Sequence, residues 1–279
     1  RIERAWQQLL STFIQPHLQG EMLQTFLDAQ SSAGEYPCLG LICVQLGKRM
    51  INEDISLDIK EGEIVGIVGL NGCGKTTFFN AISGFVPIDT GLISLNGVEL
   101  NPLSANKRTK VGLARGFQNV GVFKEMTLEE NLIMAIENAE ELPWHWMFSK
   151  KHKRRINKKI DLALEEFALS SHKHSLAGVL SGGQLRLLEM AKLKLSNANL
   201  LLIDEPTAGV SPVLRNELSN AIKSLTDQHG KTIVIIEHDL KFLFGLVDRI
   251  IVFVDGKKYM EGLPKEVQND PRLKEVYFG

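Results

Sequence analysis

The chain has 279 residues, 44% hydrophobic and 23% charged, a length suited to one large domain or two small ones. Its 32 Lys+Arg against 33 Asp+Glu argue against a globally basic surface for nucleic acid, and no nucleic-acid partner is expected. No apolar run approaches the 18 or more residues of a membrane span, so the chain is not expected to be a channel or permease itself.

Residues 1–38 read as an N-terminal extension and 39–279 as the folded domain. In the extension Ile2, Trp6, Leu9, Leu10 and Phe13 recur at helical spacing, a stripe expected to pack on its own domain, with a docking helix as the second reading. Residues 1–30 carry no signal-peptide core, and Cys38, Cys43 and Cys73 form no CxxC pair. Together these features predict a soluble protein of a reducing cytoplasm.

Short β-branched runs predict strands at Leu41–Leu46, Ile55–Ile59, Glu63–Gly69, Leu92–Leu95, Leu200–Asp204, Thr232–Glu237 and Arg249–Val254. Helical patterns fall between many of them, at Lys75–Ser83, Leu128–Glu137, Asn157–Leu169, Gly183–Leu195, Pro212–Gln228 and Leu240–Val247. The alternation predicts an α/β fold with a largely parallel sheet, plus a small antiparallel β portion near the N-terminus. Residues 119–182 break the rhythm and read as an inserted helical subdomain.

The strongest chemical signal follows the strand Glu63–Gly69. Gly69-Leu70-Asn71-Gly72-Cys73-Gly74-Lys75-Thr76 fits the phosphate-loop pattern GxxxxGK[ST], with a helix expected after it. Glycines let the backbone curl so that successive N–H groups converge on phosphate oxygens at a positive helix end. Asn71, Gly72, Cys73, Gly74, Lys75, Thr76 and Thr77 are the expected ATP contacts, with Lys75 on the β- and γ-phosphates and Thr76 on Mg²⁺. A second signal is the apolar strand Leu200–Ile203 ending in Asp204 and Glu205. Asp204 suits Mg²⁺, and Glu205 suits polarisation of an attacking water.

Leu180-Ser181-Gly182-Gly183-Gln184 opens a helix between these two motifs, with Ser181 as N-cap. That placement makes the chain resemble an ATP-binding cassette (ABC) ATPase, whose signature is this pentapeptide, from about residue 39 to the C-terminus. The resemblance implies a P-loop NTPase (RecA-like) core, with ATP held between one subunit's phosphate loop and the signature of another, here Ser181 and Gly183. It also assigns Gln118, 43 residues after Lys75, to the family's Q-loop, touching Mg²⁺ and the reaction centre. His238, 33 residues after Glu205, takes the place of the switch histidine, and Ala208–Pro212 that of the D-loop. Within the family, Gly112–Asn119, Val122–Leu132 and the C-terminal run from Val247 to Gly279 resemble ATPases of branched-chain amino-acid uptake.

Departures from the family pattern are Leu46 where most cassettes stack an aromatic ring on adenine, Cys73 in the phosphate loop, Gly182 in the signature and Ser211 in the D-loop. The basic run Lys150–Arg155 with Lys158 and Lys159 reads as a solvated helical face before it reads as a lipid contact. Trp144, Trp146 and Phe148 read as packing within the insert, and His172 and His174 as solvated.

The resemblance therefore implies an ATP- and Mg²⁺-dependent ATPase that drives a transporter for branched-chain amino acids or related small polar or amide solutes. Its expected partners are integral membrane permease subunits, a second ATPase subunit (the same chain or a homologue) and a separate solute-binding protein. The expected place is the cytoplasmic face of the plasma (inner) membrane. The competing class is a soluble cassette ATPase acting as a cofactor-assembly scaffold.

Overall fold

The computed structural model describes residues 42–46, 49–116, 121–140 and 150–278. The N-terminal extension with its helical stripe, Cys38, Gln118, Trp144, Trp146 and Phe148 lie outside the described residues.

The described residues begin with β1 (Ile42–Leu46), β2 (Arg49–Ile55) and β3 (Ile64–Gly69), then α1 (Lys75–Ser83). The short strands β4 (Thr90–Gly91), β5 (Ser94–Leu95) and β6 (Val98–Glu99) lead to α2 (Ala105–Val111) and β7 (Leu113–Gly116). Among the described residues the α-helices α3 (Leu128–Glu140), α4 (Lys150–Glu166) and α5 (Gly182–Leu195) follow, with two short 3-10 turns before α5. The alternation then resumes with β8 (Leu200–Asp204), α6 (Pro212–Asp227), β9 (Thr232–Ile236), α7 (Leu240–Phe244), β10 (Arg249–Val254) and β11 (Lys257–Gly262). Two short helices, α8 (Pro264–Asn269) and α9 (Pro271–Phe278), close the described chain.

The main sheet has the order β11-β10-β3-β9-β8-β7. Five neighbours run parallel, and β11 pairs antiparallel with β10 at one edge. Strands β3, β8 and β9 are buried along their whole length, as unbroken apolar runs covered on both faces require. Side-chain alternation divides the core in two. Ile64 and Val68 join Leu201, Ile203, Ile233 and Ile235 on the face covered by α3–α6. Val65 and Ile67 join Leu202, Val234, Ile236 and Phe253 on the face covered by α1, where Phe78 meets Phe253 edge-on at 5.3 Å.

The antiparallel portion is the sheet β2-β1-β4 with the separate hairpin β5–β6. Asn96 and Gly97 close that hairpin at φ 50° and 77°, the two left-handed residues its tight turn demands. The strand expected at Ile55–Ile59 is corrected: β2 ends at Ile55, and Leu57 and Ile59 are buried in a segment without strand pairing. Their alternation reports burial rather than a ladder. Helix α4 starts at Lys150, seven residues earlier than the apolar pattern at Asn157 suggests, because the basic run supplies its exposed face. His152, Ile156, Ile160 and Leu164 form its buried stripe.

Between residues 121 and 182 the described residues form helices and turns, with an isolated bridge between Thr127 and Leu176 in place of a strand. Thr127 and Glu130 cap α3 reciprocally, Thr127 Oγ1 accepting from the Glu130 N–H and Glu130 Oε2 from the Thr127 N–H. No described helix is long and apolar enough to cross a membrane.

Candidate active site

Parallel strands deliver their C-terminal loops to one end of a sheet, where ligands of such folds collect. Here the loops after β3, β8 and β9, three adjacent strands, carry the phosphate-loop residues, Asp204–Glu205 and Glu237–His238 respectively.

The phosphate loop is shaped by close approach as much as by glycine freedom. A Cβ on Gly69 would lie 2.3 Å from Phe253 O of β10 and 2.7 Å from Cys73 Sγ, so no side chain fits there. Gly74, at φ 97°, is the left-handed N-cap of α1 and accepts at its carbonyl from the Phe78 N–H (2.9 Å) and from Asn52 Nδ2 of β2 (3.3 Å). The Cys73 N–H closes a turn onto Leu70 O, and the Cys73 carbonyl accepts from the Gly256 N–H, so the loop is tied to the β10–β11 turn.

Lys75 is 5% exposed, and its ammonium donates to Gly69 O (2.6 Å) and Leu70 O (2.9 Å), 3.7 Å from Cys73 Sγ. The charge therefore sits inside the curve of the loop. Asn71, Gly72 and Thr76 face outward and Thr77 is half-buried.

Asp204 ends β8 at 2% exposure and is held by Arg115 of β7 at 3.0 Å. The same guanidinium donates to Asn80 Oδ1 of α1 (2.6 Å) and lies over the rings of Phe79 and Phe85. Burial pushes the Asp204 carboxyl above its ordinary pKa, against the opposing pull of Arg115 and Lys75. Glu205 follows at φ 47°, a left-handed conformation that a non-glycine residue adopts only when its surroundings dictate it. Its N–H donates to Ile236 O of β9 (2.8 Å), and its Oε1 lies 2.9 Å from His238 Nε2.

Ser181 and Gly183 sit at the head of α5. Ser181 Oγ accepts from the Gln184 N–H and Gln184 Oε1 from the Ser181 N–H, a reciprocal cap. A Cβ on Gly183 would come 2.3 Å from Leu214 Cδ1 of α6, and one on Gly182 would meet Gly209 O at 3.2 Å. The second signature glycine thus answers to helix packing, while the first faces the D-loop. His174 is exposed as expected, its Nδ1 3.2 Å from Glu129 Oε2, whereas His172 is half-buried with Nε2 3.4 Å from Gln184 Nε2.

The folded chain brings together Lys75 and its loop, Asp204, Glu205 and His238. Arg115 and Glu237 belong to the same centre without having been foreseen. A cation inside the strand Leu-Ala-Arg-Gly and a carboxylate ending the apolar run before His238 were the available signals. Thr76 and Asp204 offer hard oxygen donors, the set Mg²⁺ takes alongside phosphates and water.

The chain matches the ABC transporter family over residues 52–208. It is 34% identical over 245 residues to the high-affinity branched-chain amino acid transport ATP-binding protein BraF of Pseudomonas aeruginosa, covering 85% of this chain and 95% of that one. It is 33% identical to the LivG protein of Escherichia coli K12, described in the same terms, with the same coverage. Among solved structures, an ATP-binding cassette of an ABC transporter in its ADP conformation superposes with TM-score 0.76 at 31% identity, over 88% of this chain and 99% of that one.

Proposed function

The chain belongs to the ABC transporter family as an ATP-hydrolysing subunit, and on that premise we propose that it powers an importer of branched-chain amino acids or related small polar or amide solutes. The observation that carries the chemistry is the 2.9 Å pairing of Glu205 with His238, at the ends of the paired strands β8 and β9, of which β9 neighbours the strand that delivers Lys75. The solute class rests on the relatives named above.

In this reading the amides of residues 71–77 and the Lys75 ammonium bind the phosphates of ATP. Thr76, Asp204 and Gln118 hold Mg²⁺, which when bound neutralises charge on the phosphate oxygens. Glu205 orients the attacking water and accepts its proton, and His238 holds Glu205 in place while facing the γ-phosphate. Ser181 and Gly183 complete the site of a second ATPase subunit, a copy of this chain or a homologue. Membrane permease subunits dock on the cytoplasmic side, a separate solute-binding protein delivers the cargo, and the helices of residues 119–182 form the inserted subdomain of the 39–279 domain.

Reconstitution tests this. The chain, the membrane subunits that co-purify with it and their binding protein are placed in vesicles, and ATP-dependent uptake of labelled leucine, valine and isoleucine is measured against urea. Leucine-class uptake is expected. Hydrolysis without uptake of any of these solutes would sink the importer assignment.

A further inference from the structure

Glu237 is a buried carboxylate, 3% exposed, placed between the two residues assigned to hydrolysis. Its two oxygens serve two different loops. Oε1 accepts from the Thr207 N–H (2.9 Å) and the Thr207 hydroxyl, two residues past Glu205. Oε2 accepts from the His238 N–H (2.7 Å) and the Asp239 N–H (3.3 Å). Asp239 extends the link, accepting from the Phe242 N–H at the start of α7 and pairing with Arg215 of α6. One carboxylate thus fixes the backbone on both sides of the Glu205–His238 pair.

We propose that Glu237 is a positioning residue for ATP hydrolysis: it clamps the loop after β8 to the loop after β9, setting the register in which Glu205 and His238 meet. This rests on the proposed roles of those two residues. A carboxylate suits the post because four donors converge on it and it carries none of its own. A glutamine keeps the shape but turns an NH₂ group toward donors on one side, releasing either Thr207 or the His238–Asp239 turn. A small displacement of that kind, of about 1 Å, reduces turnover on the order of a hundredfold while substrate binding elsewhere is unaffected.

The test compares kcat, KM, MgATP affinity and unfolding temperature for Glu237→Gln, Thr207→Val and Thr207→Ser. Glu237→Gln is expected to lower kcat at least about tenfold with KM and MgATP affinity within about threefold. Thr207→Val, which removes the hydroxyl donor alone, lowers kcat in the same way to a smaller extent, and Thr207→Ser restores it. In a Glu205→Gln background, Glu237→Gln adds no further loss, because both act through the same step. Should Glu237→Gln fail to fold, the two Thr207 variants carry the comparison. Unchanged kcat in Glu237→Gln or Thr207→Val overturns the proposal, as does a parallel fall of kcat, MgATP affinity and unfolding temperature, the pattern of a purely structural carboxylate. Normal turnover in Glu205→Gln and His238→Ala themselves would remove the premise, and the clamp with it.

Discussion

His238 Nε2 lies 2.9 Å from Glu205 Oε1 although 33 residues separate them. The parallel pairing of β8 with β9 makes this contact, since Asp204 stands opposite Ile236 and the next residues of each strand turn toward one another. If Glu205 polarises the water, Glu205→Gln keeps its shape and loses the charge that favours proton transfer. Turnover is expected to fall at least about a hundredfold. Nucleotide binding survives, and an ATP-dependent dimer accumulates, visible by light scattering. Near-normal turnover would move the role to another group.

Lys75→Ala gives the opposite profile. If the ammonium that fills the curve of the loop is the main cation offered to phosphates, binding and the ATP-dependent dimer disappear together. Equilibrium dialysis with labelled ATP separates the two variants: Glu205→Gln retains ligand and Lys75→Ala does not.

Arg115 neutralises a carboxylate that burial already pushes toward protonation. Arg115→Met leaves Asp204 buried without its guanidinium. Breaking such a pair from one side destabilises by about 3 kcal/mol, read as a lower urea midpoint at unchanged slope. Adding Asp204→Asn removes the stranded charge and recovers much of the loss. Non-recovery would assign the cost to lost packing on Phe79 and Phe85 instead.

Phe123 is 51% exposed with its N–H and C=O clamped by Asn131, and the Lys192 ammonium lies 5.6 Å from its ring centre. Val122 beside it packs partly into the core, so only the ring is offered outward. If the exposed ring meets a membrane subunit, Phe123→Asp is expected to change stability by about 0.5 kcal/mol or less while abolishing transport driven by ATP. Calorimetry on the purified chain and uptake in vesicles measure the two halves. A large loss of stability would make Phe123 a packing residue.

Glu166, at the end of α4, takes bonds from Lys194 of α5, Ser224 of α6 and His229. Burial raises its carboxyl, but these three partners together outweigh it and hold it below its ordinary pKa. A carboxylate lowered in the fold contributes stability that is present above its unfolded pKa and lost as pH falls through the folded one. Glu166→Gln therefore lowers the unfolding temperature at pH 7 by a few degrees, about 1 kcal/mol or less for a solvent-screened cluster. The gap between variant and parent closes as pH drops below the ordinary carboxylate range. A gap independent of pH would contradict this assignment.

Much of the architecture was legible because fully buried parallel strands write themselves as apolar runs: β3, β8, β9 and β10 stand, to within a residue at either end, where the runs Glu63–Gly69, Leu200–Asp204, Thr232–Glu237 and Arg249–Val254 suggest. Strand β7 escaped because Leu-Ala-Arg-Gly is short and carries a cation whose partner, Asp204, is remote in sequence. Strand β11, Lys-Lys-Tyr-Met-Glu-Gly, escaped because an exposed edge strand has little to bury. At the site, Lys75, Asp204 and Glu205 were marked by their motifs and His238 by the family resemblance. Glu237 and Arg115 did not, since a polar side chain that bonds across strands leaves no periodic trace.

The crowding at the head of α5 has a mechanical result. With Gly183 pressed on Leu214 and Gly182 turned to Gly209 O, the tip bearing Ser181 and the loop entering α6 share one seam with no slack. If Ser181 serves a neighbouring molecule, a shift of the α5 tip is felt by residues 209–214. The two surfaces are therefore coupled, and a methyl group at position 183 would force Leu214 to give way without touching the phosphate loop.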